Sequence, residues 1–198
     1  MISENTLKQL NKESKIVYYL VIAFLKLLES KKLRDLGKLL AESNEYIQED
    51  WINENTNLKV KKRQDNDLNA SGFDLTTFDE IMTIQGKIRV GTMHLEQTRR
   101  KSTKNEDSSD TGQVAYSVGE ADVYLFSRPD KDEYGNIDKW SFIAIPQRDL
   151  IDLKNPKYLI TNIPKKIWGK YVGNTKETLE SEYLKILVNK HKNIIING

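Results

Sequence analysis

Cysteine is absent from this chain of 198 residues. Its absence excludes disulfides, thiolate zinc sites and cysteine nucleophiles, and it agrees with a reducing cytoplasm, where we expect the protein. Histidine is scarce: His94 and His191 are far apart in the sequence and form no recognisable metal pair. A histidine-based nuclease or a serine–histidine triad is therefore disfavoured. The chain also lacks a glycine-rich phosphate loop, which argues against nucleotide-driven chemistry.

Long hydrophobic runs are missing as well. The longest apolar stretch, from Ile16 to Leu28, is interrupted by Lys26, and a bilayer-spanning helix needs about 20 apolar residues. The first residues, Met1 to Asn5, show no basic region followed by an apolar core, so a secretory signal is not expected. We expect no association with membranes.

Neither sign of charge is in large excess. The chain has 31 Lys and Arg against 29 Asp and Glu, a formal net charge of +2, although charged residues make up 30% of it. A binding surface must therefore arise from local clusters of charge rather than from the protein as a whole.

The length suggests one domain, residues 1–198, with a helical part at 1–54, a sheet core at 55–150 and a C-terminal strand and helix at 151–198. Apolar spacing predicts helices at Thr6–Glu29 and Leu33–Ile52, and Thr175 is expected to cap a last helix of about fifteen residues. A short helix is predicted at Gln147–Ile151. The predicted strands are Leu58–Val60, Phe73–Leu75, Met82–Val90, Ala121–Phe126, Trp140–Pro146 and an edge strand Tyr158–Ile163, which Pro164 ends.

The segment Met82–Val90 alternates strictly between apolar and polar residues. A period of two places Gln85, Lys87 and Arg89 in one row on one face of a strand. The preceding Thr77–Glu80 reads as a turn. If the hairpin is centred between Asp79 and Glu80, Asp74 lies opposite Gln85, with Cβ atoms about 4.5–5.5 Å apart.

A carboxylate, a side-chain amide and a lysine at one place are typical of a divalent-metal hydrolytic centre. Asp74 is the expected central ligand of Mg²⁺, a hard cation that prefers oxygen, and Gln85 would offer its side-chain carbonyl. Lys87 would orient the attacking water or stabilise developing negative charge. The alternative is an ordinary amphipathic hairpin whose polar residues face water.

The surroundings of these residues resemble the PD-(D/E)xK nuclease superfamily, the fold of many restriction endonucleases. The match consists of Gly72–Leu75, Ile84–Lys87, a basic stretch, and the strands Asp122–Phe126 and Trp140–Ile145, within residues 33–150. The resemblance implies an α/β fold with a central mixed β-sheet flanked by helices, here with an N-terminal helical pair. The chain departs from the pattern at Gln85, where Asp or Glu is usual, and at Phe73, where proline is usual.

Some members of this superfamily add an acidic residue from the preceding helix. Glu42 is the favoured candidate for this metal ligand because the small residues Ala41 and Ser43 flank it. Asp35, Glu45 and Glu49 are alternatives, and each could instead be a solvated helix residue. The residues expected for catalysis are therefore Asp74, Gln85 and Lys87, and the expected metal ligands are Asp74, Gln85 and Glu42.

A polar and basic cluster follows the motif strand. Arginine and lysine bind phosphates, and arginine can also read guanine in the major groove, so this cluster is expected to contact DNA unless it is a solvated loop. The candidate DNA-binding residues are Arg89, His94, Gln97, Thr98, Arg99, Arg100 and Lys101. A second basic run, Lys59–Arg63, is interpreted as solvent-exposed surface in preference to a DNA contact. Lys165–Tyr171 mixes cations and aromatic residues, which suits nucleic acid or a covered core equally.

The favoured interpretation is a magnesium-dependent endonuclease of double-stranded DNA, most simply a type II restriction enzyme that cuts a short specific site as a homodimer. A DNA repair or junction-resolving nuclease of the same fold is one alternative. A DNA-binding module that keeps the fold but has lost cleavage is the other, and Gln85 is the residue that sustains it.

Overall fold

A computed structural model describes residues 4–29, 36–63, 72–88, 118–131, 137–160 and 162–197. The helices in these ranges are α1 (Glu4–Glu13), α2 (Lys15–Glu29), α3 (Leu36–Asn55), α4 (Lys165–Tyr171) and α5 (Thr175–Asn197). The strands are β1 (Val60–Lys62), β2 (Leu75–Thr77), β3 (Thr83–Ile88), β4 (Val123–Lys131) and β5 (Ile137–Pro146), followed by a 3-10 turn at Gln147–Leu150.

The five strands form one mixed sheet in the order β1-β2-β3-β4-β5. The β3–β4 pair is parallel, and the other three pairs are antiparallel. Within the described ranges, three helices precede the sheet in the chain and two follow it. The predicted α/β architecture, a central mixed sheet with helices around it, is confirmed.

The sheet is buried on both faces, and the period-two alternation of β4 explains how. Val123 and Leu125 point into a core that includes Ile52 of α3 and Leu179 of α5. Tyr124 and Phe126 point into a second core with Trp168 of α4, where the Phe126 and Trp168 rings meet edge to face at 4.9 Å between centroids. A strand buried on both faces reads as a continuous apolar run, as this one does.

The predicted hairpin turn is confirmed. The backbone amides of Ile81 and Met82 each donate to the Thr77 hydroxyl at 3.1 Å, and the Thr77 hydroxyl donates to Asp79 at 2.6 Å. Glu80 takes a left-handed backbone conformation with φ of 57°, which L-residues other than glycine adopt only as single residues, mostly in turns. These contacts fix the register of the strands on either side.

The N-terminal helical prediction is partly wrong. The expected helix Thr6–Glu29 breaks into α1 and α2 at Ser14, because this serine interrupts the helical ladder and accepts the amide of Val17 on its hydroxyl at 3.5 Å. Serine at such a position favours a helix start. The helix predicted at Leu33–Ile52 is found as α3, ending at Asn55.

The C-terminal third differs more from prediction. The expected edge strand Tyr158–Ile163 is wrong: its described residues form isolated β-bridges, among them Leu159 with Ile151, and no continuous strand. Leu159 and Ile163 are instead anchored in the second core. Helix α4 was not predicted. Helix α5 is longer than expected, and the Thr175 hydroxyl donates to the Phe142 carbonyl of β5, which docks the helix on the sheet.

None of the helices in the described part of the chain is both long enough and apolar enough to cross a membrane.

Candidate active site

Asp74 and Gln85 face one another across the β2–β3 hairpin, as the sequence predicted. The ladder pairs Leu75 with Ile84 and Thr76 with Thr83, so one further step brings Asp74 opposite Gln85. The Gln85 side-chain nitrogen donates a hydrogen bond to the Asp74 carboxylate, and the Gly86 amide donates to the same oxygen at 2.8 Å. The carboxylate therefore receives two hydrogen bonds from β3.

Lys87 lies two residues further along β3, where it pairs in register with Phe126 of β4. Burial lowers the pKa of its ammonium, and the nearby carboxylates of Asp74 and Glu120 oppose that effect. Burial raises the pKa of Asp74, and the positive charge of Lys87 opposes that rise. The three residues predicted for catalysis are thus brought within electrostatic reach of one another.

Helix α3 presents two carboxylates that interact electrostatically with Asp74, those of Glu42 and Glu45. Glu42 is 3% exposed, and both Glu42 and Glu45 form ion pairs with Lys62 of β1, the latter at 2.7 Å. Lys62 was interpreted from the sequence as surface, and that interpretation is wrong: its side chain is 13% exposed. The period of the strand could have predicted this burial, because Lys62 lies on the same face of β1 as Val60, which is fully buried.

Burial and the repulsion between neighbouring carboxylates disfavour the ionised forms of Glu45 and Asp74. Burial and the charge of Asp74 raise the pKa of Glu45 to about 7, against its ordinary value of 4.5, although Lys62 opposes the shift. Burial also raises the pKa of Asp74, and Glu42 adds to that effect. A raised carboxyl pKa means that the folded protein disfavours the ionised form. An additional cation beside Glu45 and Asp74 would favour the ionised forms of both.

Glycine at position 86 allows α3 to approach the sheet closely. A Cβ atom there would lie 2.2 Å from the Gln48 side-chain oxygen. Gln48 is completely buried, and its nitrogen donates to the Leu125 carbonyl at 2.8 Å and to the Ser127 hydroxyl at 3.2 Å. These contacts hold α3, and with it Glu42 and Glu45, against the strands that carry the motif.

The donor set suits a hard divalent cation in chemical type. Asp74, Glu42 and Glu45 supply carboxylate oxygens, and the Gln85 amide has an oxygen as well, which are the ligands Mg²⁺ prefers. Within the described ranges, however, no three acidic or histidine side chains converge closely enough to form a complete ligand shell. Gln85 presents its nitrogen to Asp74, and Glu42 and Glu45 are engaged by Lys62.

Sequence reasoning underestimated Glu45 and missed Lys62 and Gln48. Glu45 was one of several helix alternatives to Glu42, and its pKa responds more strongly to Asp74 than to Glu42. Asp35, another alternative, lies outside the described residues. Glu49 is half-buried, and burial raises the pKa of its carboxyl group. Gln48 reads in the sequence as an ordinary helix residue, and no local pattern marks it as buried.

The candidate DNA-binding residues fall between β3 and β4, outside the part of the chain that the structure describes. They are Arg89, His94, Gln97, Thr98, Arg99, Arg100 and Lys101. Of the two interpretations of Lys165–Tyr171, the covered core applies to its aromatic residues: Trp168 is 4% and Tyr171 is 6% exposed.

No protein-family model matches this chain, and a search of curated proteins finds no relative of it.

Proposed function

We propose that this protein is a magnesium-dependent endodeoxyribonuclease with a restriction-endonuclease-like core, and that it acts as a type II restriction enzyme on double-stranded DNA. One observation carries the proposal: Asp74 and Gln85 contact each other across the hairpin, and the Lys87 ammonium interacts with the Asp74 carboxylate. A carboxylate, a metal-capable amide and a lysine on paired strands are what phosphodiester hydrolysis with one divalent ion requires.

The arrangement of elements supports the same fold assignment. A helix with inward-facing carboxylates, α3, precedes the hairpin that carries the motif. A parallel strand, β4, and an antiparallel strand, β5, then extend the sheet from the motif strand. The resemblance stated from the sequence calls for this order, although the α/β class alone would admit other functions.

In this proposal Asp74 is the central metal ligand, with Gln85 and one of the α3 carboxylates, Glu42 or Glu45, as further ligands. The Gln85 amide must turn so that its oxygen rather than its nitrogen faces the ion. When bound, Mg²⁺ stabilises charge on the scissile phosphate and lowers the pKa of the attacking water. Burial and the nearby charge of Asp74 raise the pKa of Glu45, and a divalent ion bound at Asp74 would favour the ionised form of this glutamate.

Lys87 positions the water and balances charge. Burial lowers its pKa, and an amine with a lowered pKa is unprotonated, and so able to take a proton, in a larger fraction of molecules near neutral pH than an ordinary lysine is. In this proposal, the electrostatic interaction of Lys87 with Asp74 would bring it near the bound ion and the attacking water. DNA would be held by the cluster from Arg89 to Lys101, which follows β3 directly in the chain.

The test is the action of the purified full chain on duplex DNA of mixed sequence, in Mg²⁺ and in EDTA. We expect discrete fragments in Mg²⁺ and intact DNA in EDTA. Discrete fragments from unbranched duplex also separate a restriction enzyme from a junction-resolving nuclease, which would cut branched DNA in preference. DNA that is neither bound nor cut would overturn the proposal.

A second candidate is a DNA-binding module that keeps this fold without cleaving. It is favoured by the hydrogen bond from Gln85 to Asp74 and by the pairing of both α3 glutamates with Lys62, because these contacts compensate the acidic groups without a metal. Binding measured by fluorescence anisotropy, alongside the cleavage assay, separates the two. Tight binding with no cleavage in Mg²⁺ or Mn²⁺ would select the module.

A further inference from the structure

Lys62 is held in a cage of three side chains from a single turn of α3. Its ammonium nitrogen bonds to Glu42, lies 2.7 Å from a Glu45 carboxylate oxygen and sits 4.2 Å from the centroid of the Tyr46 ring. The two carboxylates take two of the three ammonium donors, and the ring face meets the same charge from another side, as in a cation–π contact.

This cage is almost closed to water. The exposed fractions of the side chains are 13% for Lys62, 4% for Glu42 and 19% for Glu45. Buried charges persist only when they are paired or coordinate a metal ion. The ammonium therefore does for Glu42 and Glu45 what a bound cation would do, and it reaches them from the neighbouring strand β1.

The neighbouring Lys61 shows that this placement is specific. Its side chain is 36% exposed, and it pairs at 2.9 Å with Glu80, which is 72% exposed. The strand alternation sends the two lysines to opposite faces of β1. A substitution at Lys61 is thus a matched control that removes the same charge from the same strand without touching α3.

The ammonium of Lys62 occupies the space that a second cation would need. It pairs with both Glu42 and Glu45, so a divalent ion placed between the same two carboxylates would lie beside it in a largely buried site, where like charges repel strongly. Lys62 and a second metal ion are therefore alternatives.

We propose that Lys62 is a built-in cation of this site. Its ammonium fills the position between Glu42 and Glu45 that a second divalent ion would otherwise take, so that the native protein binds one divalent ion per chain, at Asp74. The single ion rests on the proposed nuclease function. The role of Lys62 in place of a metal ion between Glu42 and Glu45 is independent of that function, because it follows from the ion pairs alone.

The test is Mn²⁺ binding to the full chain without DNA, measured by titration calorimetry, together with the melting temperature in EDTA and in Mn²⁺. We expect one ion per wild-type chain and two per chain of Lys62→Met. In EDTA, Lys62→Met should melt about 10 °C below wild type, because two buried carboxylates lose their partner. Mn²⁺ should recover most of that loss, and Lys61→Met should match wild type in both respects.

A combined variant keeps the test decisive if Lys62→Met does not fold in EDTA. Lys62→Met with Glu42→Gln and Glu45→Gln removes the uncompensated charges, so it should fold in EDTA and lose the second ion. Binding of the first ion at Asp74 should weaken as well, because one of these two glutamates is a proposed ligand there. Two ions on wild type, or no additional ion and no Mn²⁺-dependent recovery in Lys62→Met, would overturn the inference. No ion on wild type but one on Lys62→Met would uphold the role of Lys62 and count against the metal site of the nuclease.

Discussion

The carboxylate of Asp74 accepts a 2.8 Å hydrogen bond from the backbone amide of Gly86, at the point where the β2–β3 ladder ends. The side chain thus completes the hydrogen bonding of the strand and also offers a charge for chemistry. A buried amide that loses its acceptor costs about 1–3 kcal/mol. Substitutions at this position must therefore separate the structural role from the chemical one.

Asp74→Asn makes this separation, because asparagine keeps an oxygen that can accept from Gly86 but loses the negative charge. We expect the variant to melt within a few degrees of wild type, since burial already disfavours the ionised form of Asp74. Cleavage should fall at least about 100-fold. Asp74→Ala should in addition lose about 1–3 kcal/mol in urea unfolding. Cleavage by Asp74→Asn at the wild-type rate would remove Asp74 from the site.

Gln85→Glu restores the acidic residue that is usual in the motif. In EDTA it places a second carboxylate in contact with that of Asp74, so we expect a lower melting temperature at pH 8 than for wild type. Mg²⁺ should reverse the loss, and half-maximal cleavage should need less Mg²⁺. The measurements are melting curves with and without Mg²⁺ and cleavage rates across a Mg²⁺ series. An unchanged melting temperature in EDTA would mean that the two side chains are not in contact.

Glu45 makes the stability of the metal-free protein depend on pH. Burial and the charge of Asp74 raise its pKa from 4.5 to about 7, so the folded state holds the proton more tightly than the unfolded state does. The resulting stability is fully present below pH 4.5 and is lost as the pH rises through 7.

Glu45→Gln removes this dependence, because glutamine stays neutral at every pH. In EDTA we expect the variant to exceed wild type in unfolding free energy at pH 8, by up to about 3 kcal/mol, and to come close to it at pH 5. Urea unfolding at the two pH values measures the difference. A variant that is less stable than wild type at pH 8 would show that the pairing of Glu45 with Lys62 outweighs its burial.

Gly86→Ala tests the close approach of α3 to the sheet. The added Cβ atom would lie 2.2 Å from the Gln48 side-chain oxygen and 3.3 Å from the Asp74 carboxylate. Because Gln48 is held by Leu125 and Ser127, it cannot move freely, and we expect a loss of about 1–3 kcal/mol in unfolding free energy. The double variant Gly86→Ala with Gln48→Ala should recover part of that loss. An undisturbed single variant would show that α3 lies further from β3.

The hairpin could be predicted from the sequence because its determinants are local. Strict alternation fixes which side chains share a face, and the four residues from Thr77 to Glu80 fix the register. Both follow from neighbours in the chain, so the pairing of Asp74 with Gln85 needed no knowledge of the rest of the fold. The break at Ser14 and the short helix α4 depend on weaker local preferences and were missed.

The surroundings of Asp74 could not be predicted, because they depend on contacts between distant parts of the chain. Lys62 meets Glu42 across 20 positions, and Gln48 meets Leu125 across 77. In the sequence Lys62 belongs to a basic run and resembles the exposed Lys61. Packing of α3 against β1 and β3 decides which of these lysines is buried and which helix acid approaches the motif.

The most direct test of the central claim is the cleavage of supercoiled plasmid by wild type and by Lys87→Met, purified in parallel and assayed in Mg²⁺ and in EDTA. Methionine fills similar space without the charge, and burial already disfavours that charge, so the variant should keep its fold by circular dichroism. The account predicts that wild type linearises or nicks the plasmid in Mg²⁺ alone, and that Lys87→Met is at least about 100-fold slower, while Lys61→Met is unaffected. Equal cleavage by wild type and Lys87→Met, or none by wild type in Mg²⁺, would contradict it.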